Sequence, residues 1–147
     1  MVWLAENRES VLRRAVLLMN AEHSAHALVD HWGAALQATN SLGPFSWRVN
    51  GSAELLEIAN RAFDAFGIPR WAQTGGPWGE ISRLSTVTPS VVLMHAGVLL
   101  HTNAETDEAI PAAGLAATTR AYAKIIDEVN QLDLSALVPR AANERQD

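Results

Sequence analysis

Across residues 52–67 apolar side chains return every three or four positions, at Leu55, Leu56, Ala59, Ala62, Phe63 and Phe66. A helix of that period has one apolar face, which must be covered by something else in the chain. Ser52 opens it, Glu54 and Glu57 lie in its first turns, where carboxylates suit the positive end of the dipole, and Gly67 follows as a terminator. A second helical period runs over about 112–132, with Leu115, Tyr122, Ile125, Ile126, Val129 and Leu132 on one side and Arg120, Lys124, Asp127 and Glu128 mostly off it. The remaining apolar runs are of strand length. Residues 13–20 hold a block from Ala15 to Met19 that reads as a strand buried on both faces, and residues 90–95, introduced by Pro89, read as another. The order strand, helix, strand, helix predicts an α/β fold, a mixed sheet flanked by helices, and argues against an all-helical bundle.

The connecting segments are less regular. Residues 25–37 mix Ala, Leu, Val and Trp with His26, Asp30 and His31, and read as a strand or an irregular crossing segment. Gly43-Pro44 and Asn50-Gly51 punctuate a loop whose Phe45 and Trp47 imply packing against another element. Thr74-Gly75-Gly76-Pro77-Trp78-Gly79 reads as a turn; it has no Gly-Lys-Ser/Thr, and its proline removes a backbone donor, so it is not a phosphate loop. With 147 residues, 48% of them apolar, the chain is expected to form one domain over 1–138 with a polar tail at 139–147.

Charge and composition narrow the function classes. Sixteen acidic and eleven basic residues are spread along the chain, which sets up no field for phosphates and argues against nucleic acid as a partner. No apolar run approaches the ~18 residues that a membrane span requires. The first residues show no signal-peptide pattern, so the expectation is a cytoplasmic chain with no membrane partner. There is no cysteine, so any metal must be held by His, Asp or Glu.

Five histidines are present. His23, His26 and His31 fall within nine residues, but without a zinc-signature spacing or a His-Glu-x-x-His helix, and they read as polar residues near a surface or a helix end. His95 ends an apolar strand and reads as a hydrogen-bonded edge residue. No Gly-x-Ser-x-Gly elbow is present for a serine hydrolase. Two polar constellations stand out. Leu18-Met19-Asn20-Ala21-Glu22-His23 places a carboxylate just past a strand, where α/β sheets form their ligand crevice; a cap on a neighbouring helix is the competing reading of Glu22. Leu100-His101-Thr102-Asn103-Ala104-Glu105-Thr106-Asp107 follows the 90–95 strand and leads into the last helix. A carboxylate and an imidazole brought together by two strand ends are elements of an oxygen/nitrogen zinc site.

In their order these pieces, with Gly75-Gly76-Pro77-Trp78-Gly79-Glu80, Thr88-Pro89-Ser90 and a last helix carrying Arg120-Ala121-Tyr122-Ala123-Lys124-Ile125-Ile126-Asp127-Glu128-Val129, resemble the C-terminal half of the di-zinc aminopeptidases of metallopeptidase family M twenty-eight. The resemblance spans roughly residues 13–132, and residues 101–107 are its most specific part. It implies a mixed sheet between helix layers and two zinc ions sharing an activated water that attacks a peptide carbonyl. It further implies Glu22 and His101 as metal ligands, one to each zinc, with Trp78, Glu80 and Ser82 lining the pocket. Leu100 stands where members frequently carry Tyr, and Glu22 where they frequently carry Asp.

The family's remaining ligands and its general base come earlier, in a His-x-Asp motif, a bridging Asp and a Glu-Glu pair. The 21 residues before Glu22 contain no His, no Asp and no Glu-Glu. The resemblance therefore implies the C-terminal portion of a zinc peptidase, inactive alone and acting on a peptide substrate only when completed by an N-terminal half. The alternative is a metal-free binding or oligomerisation module on the same fold, using Trp3, Trp47 and Trp71 from loops and termini as contacts. Either way self-association is expected, because a half sheet exposes an edge.

Overall fold

A computed structural model of the chain describes residues 2–7, 9–11, 14–73, 81, 84–86, 88–95 and 97–138. Trp78, Glu80, Ser82, the Gly-rich turn and the 139–147 tail lie outside the described residues. After a short helix α1 (Val2–Asn7) come β1 (Leu18–Asn20), β2 (Ala27–Trp32), β3 (Ala35–Leu42), β4 (Ser46–Asn50), α2 (Ala53–Ala65), β5 (Ser90–Met94) and α3 (Ala112–Val129). The α/β class is as expected. One sheet is mixed: β5 is its centre, parallel to β1 with Leu18 opposite Ser90, and antiparallel to β4 with Trp47 opposite Leu93. Strands β2 and β3 form a separate antiparallel hairpin joined by Gly33-Ala34.

The core lies on one face of the mixed sheet. Val91 and Leu93, two apart and so on the same face of β5, pack with Phe45 and Trp47 against Leu55, Ile58, Ala59, Ala62 and Phe63 of α2 and Ala121, Ile125 and Val129 of α3. The start of α2 follows its capping chemistry: the Ser52 hydroxyl accepts the Leu55 N–H at 3.1 Å. Its end follows too, since Gly67 takes a φ of +63°, a conformation that glycine adopts without penalty. Among the described residues no helix is long and apolar enough to cross a membrane.

Four expectations change. The 13–20 strand is three residues long and only half-buried, because β1 pairs with β5 on one side and has no partner on the other among the described strands. The 43–51 loop contains a strand, and Phe45, Trp47 and Val49 alternate in period two; Phe45 and Trp47 pack into the core as their place in a loop implied, and Trp47, whose indole N–H donates to the Trp71 carbonyl at 2.7 Å, is not the exposed contact of the binding-module reading. Trp3 and Trp71 are exposed as expected. Helix α3 is turned relative to its hydrophobic stripe, burying Gly114, Thr118, Ala121, Ile125 and Val129 and leaving Leu115 and Ile126 partly in solvent. Close approach explains this, since a Cβ on Gly114 would sit 2.7 Å from a Leu42 methyl. Residues 25–37 resolve into the hairpin, whose outer part is exposed at Trp32 and Leu36.

Candidate metal centre

The parallel pairing of β1 with β5 brings two polar segments to one end of the sheet. Past β1, Asn20 organises the chain: its side-chain carbonyl accepts the Glu22 N–H at 3.1 Å, and its amide donates to Glu22 Oε2 at 3.2 Å. The other Glu22 oxygen lies 3.2 Å from His23 Nε2. The turn through residues 22–25 holds His23 at a φ of +48°, in the left-handed region that histidine visits more often than most residues. Past β5, the His95 N–H donates to the His23 carbonyl at 3.3 Å, which ties the two strand ends together.

Below His23 the cluster is closed. His26 is 4% exposed, and its ring stands 5.4 Å from that of His95, centroid to centroid. The backbone makes room for it at Gly97, where a Cβ would come within 2.7 Å of His26 Nδ1. His26 Nε2 faces Glu105 Oε1 at 3.3 Å, and Glu105 Oε2 accepts the His101 N–H at 2.8 Å, so one carboxylate connects the buried imidazole to the turn carrying His101. His101 also takes left-handed backbone, at φ +60°, and its ring meets that of His23 edge-on at 5.8 Å. Tyr122 on α3 closes the site from the core side, its hydroxyl donating to the Asn20 carbonyl.

The electrostatics follow from burial. Burial pushes the His26 pKa down, the nearby Glu105 carboxylate opposes this, and His23 adds to it. Burial, reinforced by His26 and His23, holds His95 at about 4. Both rings are therefore uncharged at neutral pH, the form in which an imidazole binds a metal. His95 Nδ1 is buried and has no hydrogen-bond partner among the described residues.

The structure brings Glu22 and His101 to the same neighbourhood, on either side of the chain of contacts through His23. It corrects the reading of the other histidines. His26 is buried in the cluster, and His95, bonded through its backbone N–H, is a buried ring and not an edge residue, its Nδ1 without a hydrogen-bond partner among the described residues; His31 alone of the first three is exposed, on the hairpin. Ligand atoms of His23, His26 and Glu105 all lie within 4.8 Å of one another. That set was not singled out from sequence. The available signal was His-x-x-His directly after one strand and a carboxylate in the polar run after another. The chain matches no protein-family model, no curated protein and no solved structure.

Proposed function

We propose that the chain forms the C-terminal part of a zinc-dependent, aminopeptidase-type site. The observation that supports this most is the meeting of Glu22 and His101, about eighty residues apart in sequence, around the single imidazole of His23. In this reading each holds one of two zinc ions, and the remaining ligands and the general base come from a segment outside these 147 residues. Zinc, when bound, lowers the pKa of its water to ~7 and polarises a carbonyl. The chain's own part is to position: Asn20 fixes the Glu22 carboxylate, and Glu105 fixes the backbone of His101. The substrate class is a peptide with a free N-terminus.

The donor chemistry fits zinc, since carboxylate and imidazole are both zinc ligands and no thiolate is needed. The test is to add Zn²⁺ to the metal-free chain while following each imidazole in a two-bond ¹H–¹⁵N spectrum, and to assay an aminoacyl p-nitroanilide alongside. The expected result is a saturable zinc-dependent shift of the His101 ring that Glu22→Ala leaves in place, with no turnover by the chain alone. A His101 ring indifferent to zinc overturns the reading, and turnover by the isolated chain overturns its dependence on a second segment.

A second reading, a module for self-association, is favoured by the hairpin, where Leu28, Trp32 and Leu36 are exposed. Sedimentation of the chain and of Trp32→Ser separates it: a dimer lost in the variant supports it, and a monomer in both overturns it.

A further inference from the structure

We propose that His23, His26 and Glu105 form a divalent transition-metal site belonging to this chain alone, with zinc the ion it suits best. None of these three is a ligand implied by the peptidase resemblance, so the proposal goes beyond that reading and stands or falls separately. A tetrahedral zinc with bonds of ~2.0–2.1 Å has ligand atoms about 3.4 Å apart along each edge. His26 Nε2 and Glu105 Oε1 already stand 3.3 Å apart, and all three ligand atoms lie within 4.8 Å of one another. Closing the third corner takes a movement of at most about 1.5 Å at His23, the more accessible of the two imidazoles.

Two further features suit a metal better than a plain ion pair. The second oxygen of Glu105 is held by the His101 N–H, the kind of outer contact that orients a ligating carboxylate. His23 keeps a left-handed backbone, an outlier that concentrates at ligand sites. Two imidazoles with one carboxylate select zinc and its transition-metal neighbours over calcium or magnesium, which prefer all-oxygen cages. Three protein ligands leave a coordination position for water or a small anion.

The test is calorimetric titration of the chelator-treated chain with Zn²⁺, repeated with Co²⁺ while its visible absorption is followed. One equivalent that depends on these ligands is expected, with a cobalt spectrum of four- or five-coordinate intensity. Glu105→Gln, which keeps an acceptor for the His101 N–H, and His23→Ala should each weaken binding by more than the ~10–100-fold typical of losing an outer contact. His31→Ala, on the exposed hairpin, should leave it unchanged. Replacing buried His26 endangers folding, so these two accessible positions carry the test, with circular dichroism confirming that each variant is folded. Absence of a stoichiometric equivalent, or one that survives both substitutions, overturns the proposal. In the imidazole spectrum, shifts at His23 and His26 without His101 support this site and not the peptidase reading; a shift at His101 alone does the reverse.

Discussion

His101 carries two roles that pull in opposite directions. Its backbone sits at φ +60°, a conformation that costs a non-glycine residue about 1 kcal/mol or more, and its exposed ring gains little packing in return. The turn is held there by the Glu105 carboxylate on the His101 N–H. Glycine keeps that N–H and removes the strain. His101→Gly is therefore expected to raise stability by about 0.5–1 kcal/mol in urea unfolding while abolishing the zinc-dependent imidazole signal of that residue. A loss of stability would mean that the ring packs more than its exposure indicates. Of the residues gathered at this end of the sheet, the position of Glu22 and of the 100–107 run past strand ends was legible in the sequence. His26 was not, because an isolated histidine in a half-apolar segment gives no sign of whether it is buried, and here burial depends on Gly97 and His95, some seventy residues further along the chain.

At the scale of elements, α3 does more than cover the sheet. Its Tyr122, the single tyrosine of the chain, donates its hydroxyl to the carbonyl of Asn20, with the Leu93 carbonyl at 3.5 Å, so one side chain gathers the ends of both β1 and β5. Tyr122→Phe leaves the ring and takes away the donor. It should cost about 1–3 kcal/mol in denaturant unfolding, because a partly buried carbonyl loses its partner, and it should weaken metal uptake less than removing a ligand does. No change in stability would show that water replaces the hydroxyl. The helices were readable because one buried face imposes a period; α2 starts and stops as its Ser52 and Gly67 foretell. The rotation of α3 was hidden, since its contact face is built from small residues such as Gly114 and Ala121, which a hydrophobicity pattern discounts in favour of Leu115 and Ile126. The hairpin was hidden for the opposite reason: most of β2 and β3 faces solvent on both sides, so no alternation is imposed on the sequence.

For the molecule as a whole, the buried histidines are expected to contribute to the response to acid. In the unfolded chain an imidazole titrates near 6.5, whereas His95 in the folded protein does so at about 4. Between those values the unfolded state holds more protons, so stability contributed by neutral His95 is complete above about pH 6.5 and is lost as pH falls toward 4. His26 acts in the same direction. With chelator present, the unfolding free energy should drop by up to roughly 3 kcal/mol between pH 7 and pH 4 from His95, and His95→Phe should flatten much of that slope. A profile unchanged by that substitution would place the acid response elsewhere. The pairing of Leu18 with Ser90 adds a kinetic consequence. Every contact between the β1 and β5 segments of the site waits for that long-range closure, which is slow to form because the intervening chain must first be ordered. An ion offered to the unfolded chain meets His23 and His26 without Glu105, so the rate at which metal is captured during refolding should report the arrival of β5 at the side of β1.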